Sequence, residues 1–415
     1  MTTKFFFRLF SWRPGVLAKN TFLVTGGLSV RAMLQFFLFV GLARFLGVRE
    51  YGKFIAVVAV MTFMVPLVGF GMPTFLVREV AIDKARFASQ FGKSLIVVCS
   101  CALPFIFIAF FVGNWLLPGE ISRDIVFKVA VVELLLGPVQ ELAMRAFQAV
   151  ENFLFMMMVA SGLIFLRLIS FSLMLLIGGS IDAVSWSNYY LFSSFFAVSG
   201  ALLLVFMKIG FPEFTICNVL TTMKEGFYYA VTGASSRVSS EIDKACLARL
   251  SSLEITGAYS AAYRFTDIVM LPIYALLESS ATRFFREGAK GMEHSGAYAK
   301  KLLLLPTIYA VLGGALLFFC ARFIPLLLGP DYDLAVPILK LLAILPLISM
   351  WRFFLGMIVI AGGEPRHVCL VYFAGALGNV GLNIGLIPLL GWSGAALATI
   401  AAEIIMIFLF WRIIR

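Results

Sequence analysis

Phe153-Leu154-Phe155-Met156-Met157-Met158-Val159-Ala160-Ser161-Gly162-Leu163-Ile164-Phe165-Leu166-Arg167-Leu168-Ile169-Ser170-Phe171-Ser172-Leu173-Met174-Leu175-Leu176-Ile177 contains a single charged residue, Arg167. A helix of about 20 apolar residues crosses the hydrocarbon core of a bilayer, so this stretch is long enough to span one. Working outward in both directions, runs of the same kind recur to each end of the chain. They predict helices at about 20–44, 52–77, 91–113, 126–149, 153–177, 187–209, 226–252, 256–282, 300–324, 334–361, 367–388 and 392–411. The whole sequence agrees: 61% of the 415 residues are hydrophobic, 13% are charged and mean hydropathy is +1.00. A soluble domain carries roughly 25% charged residues. The alternating ten-residue segments of a membrane β-barrel are absent. The expected fold class is an all-α polytopic membrane protein of about twelve transmembrane helices.

The net charge of +11 has a topological origin and implies no nucleic-acid partner. With the N-terminus inside, Lys and Arg crowd the N-terminal arm, the even-to-odd connections and the C-terminus. Lys4, Arg8, Arg13, Lys19, Arg78, Lys84, Arg86, Lys93, Lys208, Arg283, Arg286, Lys300, Arg366, Arg412 and Arg415 all fall there. The opposite side holds only Arg44, Arg49, Lys53, Arg123, Lys128, Arg249 and Arg322. Both termini are therefore expected in the cytoplasm. Residues 1–19 read as an interfacial arm rather than a cleaved signal. The six cysteines have no metal spacing and read as small hydrophobes.

Leu46-Gly47-Val48-Arg49-Glu50-Tyr51-Gly52 follows the first span, and Ile255-Thr256-Gly257-Ala258-Tyr259 follows the seventh. The separation between Tyr51 and Tyr259 recurs between Arg78-Glu79 and Arg286-Glu287. A duplicated unit of six helices explains both echoes. An even number of spans keeps the halves in one orientation, related by an axis along the membrane normal. The expected organisation is an N-lobe at 20–209, a cytoplasmic linker at 210–225 and a C-lobe at 226–415. Pro272 and Pro346 are candidate hinges among several prolines that break or kink spans.

Charges at membrane depth are costly and mark function or pairing. The basic ones are Arg31, Arg167, Arg237, Lys244, Arg264, Lys340 and Arg352; the acidic ones are Glu133, Glu141, Glu241, Asp243, Asp267, Glu278 and Glu403. Arg31, Arg237, Lys244, Arg264 and Arg352 are expected to line a water-accessible cationic cavity suited to a phosphate or diphosphate. The competing arrangement is local pairing: Arg237 or Lys244 with Glu241, and Arg264 with Asp267. Arg31 has no close sequence partner. Asp243 and Glu403 are candidates for coupling to protons or sodium, or for structural hydrogen bonds between helices. No phosphate-binding loop ends in Lys-Ser/Thr, and His294 and His367 cannot build a metal centre. No nucleophile constellation is visible, so neither a cofactor nor an enzymatic reaction is expected.

Ala43-Arg44-Phe45-Leu46-Gly47-Val48-Arg49-Glu50-Tyr51-Gly52-Lys53-Phe54, then Gly69-Phe70-Gly71 and Leu76-Val77-Arg78-Glu79-Val80-Ala81, carry a family likeness. It continues through Glu241-Ile242-Asp243, Gly257-Ala258-Tyr259-Ser260-Ala261-Ala262-Tyr263-Arg264, and Asn383 with Pro388-Leu389-Leu390-Gly391-Trp392-Ser393-Gly394. The chain resembles the bacterial O-antigen and exopolysaccharide flippases of the multidrug/oligosaccharidyl-lipid/polysaccharide exporter superfamily. That resemblance implies a V-shaped pair of six-helix lobes in the inner membrane. It also implies movement of a polyprenyl-diphosphate-linked oligosaccharide from the cytoplasmic to the periplasmic leaflet, for lipopolysaccharide or exopolysaccharide biosynthesis. The substrate, membrane lipids, a polysaccharide polymerase and a chain-length regulator are the partners it implies. Three other readings are open: an ion-coupled multidrug exporter, a lipid-linked peptidoglycan precursor flippase, and a non-transporting scaffold of a glycan assembly complex. A drug exporter suits an acidic or aromatic cavity, and peptidoglycan precursor flippases commonly have additional spans.

Overall fold

The computed structural model describes residues 16–215 and 219–415; the side chains of residues 16–25, 81, 82, 219–222, 224–229, 232, 278 and 282 are not described. The arm before residue 16, Cys217 and the side chains of Lys19 and Glu278 lie outside the described residues. Everything regular in the described residues is helical.

Helix α1 (Val16–Thr62) holds the first span and the start of the second, joined at a bend at Gly47 with φ 76°. That left-handed conformation is one a residue with a Cβ rarely adopts. The second span continues through α2 (Val65–Gly69) and α3 (Met72–Ile82). It breaks at Phe70 and Gly71, both at positive φ, with a proline in the first turn on either side of the break. Then follow α4 (Phe87–Leu116), α5 (Arg123–Val131), a π-helical turn (Val132–Leu136), α6 (Gly137–Ala149), α7 (Phe153–Ile177) and α8 (Ala183–Lys208). Side-chain caps start α5, α7 and α8: Ser122, Asn152 and Asp182 each accept a backbone N–H.

The second half comprises α9 (Val219–Leu250), α10 (Leu253–Gly288), α11 (Met292–Leu302), α12 (Leu304–Cys320), α13 (Ile324–Leu328), α14 (Ala335–Leu342), α15 (Leu345–Ala361), α16 (Pro365–Leu390) and α17 (Trp392–Ile414). Pro346 sits in the first turn of α15, at a break in the tenth span. Pro272, by contrast, lies inside a continuous α10.

Eight described segments are long and apolar enough to cross a membrane, and one of them, Gly26–Val80, contains the bend at Gly47 and so counts twice. The continuous helix of α5, the π-helical turn and α6, together with α9 and α10, makes up the twelve. These three are diluted by polar residues such as Glu133, Glu241, Asp243, Arg264 and Asp267. Large apolar side chains such as Phe107, Phe196, Leu176 and Leu305 stand out from the surface. A soluble protein does not tolerate such a belt; hydrocarbon covers it. The chain is a multi-pass membrane protein.

One hydrophobic core runs through both halves, from Leu38 to Ala396. Helix α1 packs on α7 in its own half and crosses α9 and α10 of the other. At that crossing two glycines face each other's backbone. A Cβ on Gly52 would stand 1.9 Å from the Leu253 carbonyl oxygen, and one on Gly257 would stand 2.0 Å from that of Val48. Neither contact can be relieved by a side-chain rotation. Gly52→Val should therefore destabilise the protein by about 1–3 kcal/mol, toward the upper end of overpacking effects. A melting temperature in detergent equal to wild type would contradict this crossing.

Candidate functional site

The polar residues that thin the hydropathy of α9 and α10 converge on the seam with α1. Arg264 and Asp267 of α10 have side chains 43% and 46% exposed, yet both sit deep among protein atoms. Partly exposed and flanked by protein, they lie beside the seam with α1. Their charged groups are 4.0 Å apart, a loose pair. The Tyr51 hydroxyl of α1 lies close to Arg264, so the two halves meet here.

Lys244 differs from its expected place on the cavity wall. Its side chain is 7% exposed, and Nζ bonds Glu241 at 2.6 Å and the Ser240 carbonyl at 3.3 Å. The ammonium also lies 4.5 Å over the Tyr263 ring. The local pairing partner three residues away has claimed it. Arg237 is exposed and forms no ion pair among the described residues, since Glu241 is engaged by Lys244.

Arg352 also departs from the cavity. It is 7% exposed, and Nε bonds Glu403 Oε2 at 2.6 Å while Nη1 bonds the Tyr372 hydroxyl at 2.7 Å. The Phe353 ring lies 4.0 Å away. Glu403 is thus no isolated carboxylate: it is the counter-ion of Arg352, across α15 and α17, and its geometry is that of an interhelical ion pair.

Asp243 is fully buried and forms no salt bridge among the described residues. Its Oδ2 accepts from the Tyr259 hydroxyl at 2.8 Å and from Thr399 Oγ1 at 3.3 Å. Asn379 of α16 donates to the Ser239 carbonyl of α9 at 2.8 Å. One turn further along each of these helices come Asp243 and Asn383. Asn383 Oδ1, Ser239 Oγ and Ser260 Oγ are buried without a hydrogen-bond partner among the described residues. Native structures rarely leave such oxygens unsatisfied without a reason. The Asp243 carboxylate thus accepts hydrogen bonds from hydroxyls of two other helices, α10 and α17. No cluster of three metal-ligating side chains is present among the described residues.

The first half contributes Arg31, half-exposed on α1 and without an ion pair among the described residues; the charges nearest it are Glu141 and Arg167. Arg167 stacks 4.2 Å over the Tyr190 ring and donates to Ser194 Oγ at 3.2 Å. The Tyr190 hydroxyl donates to Glu133, which sits in the π-helical turn. Such turns are often found at functional sites. Tyr51, Tyr190 and Thr399 escape a reading by charge because a hydroxyl inside an apolar run carries no signal until its neighbours are known.

Polar contacts fasten the two halves at one end. Arg49 reaches Glu120 at 2.6 Å and Glu254 at 3.1 Å. The Tyr332 hydroxyl donates to the Ala43 carbonyl at 2.9 Å, and Arg44 donates to that of Leu327 at 3.3 Å. At the opposite end no ion pair joins the halves among the described residues.

The chain is a lipid-belted bundle of two helical halves, joined by polar contacts at one end. Known structures share this fold. An inward-facing multidrug resistance MATE family transporter of the MOP superfamily aligns over 94% of this chain and 98% of its own, at 13% identity and TM-score 0.74. The lipid II flippase MurJ, in an inward closed conformation, aligns over 94% and 87%, at 15% identity and TM-score 0.76. The MATE multidrug transporter DinF-BH aligns over 97% and 95%, at 14% identity and TM-score 0.70. No curated protein sequence matches the chain. Residues 17–282 match the polysaccharide biosynthesis protein family, and the chain belongs to that family.

Proposed function

We propose that this protein flips a polyprenyl-diphosphate-linked oligosaccharide from the cytoplasmic to the periplasmic leaflet of a bacterial inner membrane, by alternating access. The lobes at 20–209 and 226–415 rock about the α1–α10 crossing, with the 210–225 linker and both termini in the cytoplasm. The observation that carries this reading is Arg264: a partly exposed guanidinium at the seam between the halves, held only loosely by a carboxylate 4.0 Å away. Phosphoryl oxygens are better partners for it, because the planar fork bonds them in pairs. Arg31 and Arg237, both without an ion pair among the described residues, extend the cationic surface to each half. Lys244 and Arg352 are left out of the substrate contacts, since carboxylates hold them.

Beside the Ser239–Asn379 contact, α2, α9 and α16 form an apolar groove of about 280 Å³ lined by Leu67, Val231, Phe373 and Leu377. It offers the prenyl chain a place while the diphosphate occupies the cleft. The protein lowers the cost of carrying a polar head through hydrocarbon and forms or breaks no covalent bond. A polymerase and a chain-length regulator of polysaccharide assembly are the protein partners this reading implies.

Binding tests the substrate class. In native mass spectrometry, farnesyl diphosphate should bind the purified protein and lose affinity about 10-fold or more in Arg264→Ala, the value of a charged hydrogen bond. Binding of a cationic rhodamine dye instead, unaffected by that variant, would favour a drug exporter. Binding of neither would favour a scaffold.

Coupling belongs to Asp243 on this reading. Its carboxylate and the oxygens of Thr399 and Asn383 take up a sodium ion or a proton, and occupancy alters how α9 packs against α16 and α17. Transport by wild type should respond to an imposed sodium or proton gradient, and Asp243→Asn should abolish the response. An equal gradient response in the variant would remove the coupling role.

A further inference from the structure

Away from the cleft, the first turns of α16 and the last turns of α17 enclose a groove of about 340 Å³. Its walls are apolar, with Leu370 and Val371 from one helix and Leu409 and Ile413 from the other. Its rim is His367 and Arg412. Because α16 begins at Pro365 and α17 ends at Ile414, that rim lies where hydrocarbon meets water. Trp411 is at the same level, with the Arg415 guanidinium 3.6 Å above its ring, as expected for an interfacial anchor.

The charges at this rim are unequal. Glu364 is occupied by His367 at 2.9 Å. Arg412 is exposed and has no acidic partner among the described residues, and neither has Arg366 or Arg415. We propose that the groove is a binding site for an anionic glycerophospholipid. Its phosphate sits against Arg412, and one acyl chain runs down the wall between α16 and α17. Charge selects the occupant: a zwitterionic lipid would bring its own cation against Arg412, whereas an anionic headgroup meets complementary charge. The apolar wall supplies what a free anion could not use.

The location gives the lipid a consequence. Helices α16 and α17 supply Tyr372 and Glu403 to the buried Arg352 pair, and Asn379, Asn383 and Thr399 to the Asp243 cluster. A lipid wedged between their ends holds both networks in register. This site is separate from the cleft and does not depend on what the cleft transports.

The test is retention of lipid by the full-length protein after gentle delipidation from nanodiscs containing equal phosphatidylglycerol and phosphatidylcholine, read by native mass spectrometry. Wild type should keep phosphatidylglycerol preferentially. Arg412→Gln should reduce that preference about fivefold, the contribution of one basic residue at a membrane surface. Arg412→Lys should keep most of it. Ala374→Trp, which fills the groove from its lipid-exposed side, should release the retained lipid. Millimolar inorganic phosphate should not displace it. Equal retention of the two lipids by wild type, an unchanged preference in a folded Arg412→Gln, or displacement by inorganic phosphate would each overturn the proposal.

Discussion

Arg264→Ala should slow leaflet-to-leaflet movement of a diphosphate-linked glycan by about 10–100-fold while leaving the protein folded. The magnitude follows from losing a charged hydrogen bond to phosphate, worth about 1.5–3 kcal/mol. Folding should survive because the side chain is 43% exposed and its carboxylate partner is distant, so no tightly packed ion is orphaned. Arg264→Lys should recover part of the rate, since it restores the charge without the bidentate fork. Arg31→Ala should act in the same direction from the other half. Measured flipping in proteoliposomes at matched protein content decides the matter: a wild-type rate in both alanine variants would remove these arginines from the mechanism.

Glu403→Ala should have the opposite signature, a large loss of stability rather than a specific loss of transport. Removing one partner of a buried ion pair leaves the other charge uncompensated, at a cost of about 3–5 kcal/mol. Here the abandoned Arg352 would keep only the Tyr372 hydroxyl and its ring contacts. The double change Arg352→Met with Glu403→Leu should recover most of the loss, because both desolvated charges go together. Thermal unfolding in detergent would show this as a deep drop for the single variant and a near return for the double. A Glu403→Ala protein as stable as wild type, with altered gradient dependence, would return this carboxylate to a coupling role.

These two outcomes separate residues that look alike in sequence. Arg264 and Arg352 are both arginines within apolar spans, and both fit a cationic cavity by composition. What distinguishes them is a partner 51 residues away in one case and a local carboxylate in the other. Hydropathy fixes how many helices the chain forms but not which faces meet, so the Arg352–Glu403 pair had no signal in the sequence. Lys244 did have one, because Glu241 lies three residues before it on the same helical face. The first two spans were legible as separate apolar runs at 20–44 and 52–77, whereas the bend at Gly47 that joins them is a finding of the structure. The break at Phe70–Gly71 follows from flanking prolines and the Gly69-Phe70-Gly71 run. Pro272 shows the limit of such reasoning, since α10 runs on through it without a break.

The buried oxygens around Asp243 were half legible. Its carboxylate in an apolar span flagged the position, whereas Tyr259, Thr399 and Asn383 are ordinary residues until α9, α10, α16 and α17 converge. The seam between the halves shows the same thing. Gly52 and Gly257 fall within the two echoed motifs, and their reciprocal approach to backbone explains why small residues stand there.

The central claim is that the cleft carries a lipid-linked diphosphate across the membrane, and reconstitution tests it most directly. Purified protein in liposomes would be given a polyprenyl-diphosphate oligosaccharide in one leaflet, and its arrival in the other would be followed with a membrane-impermeant glycan-modifying reagent. Protein-dependent movement is the predicted result. No movement above protein-free liposomes, with folded protein and several bacterial glycans tried, would contradict it.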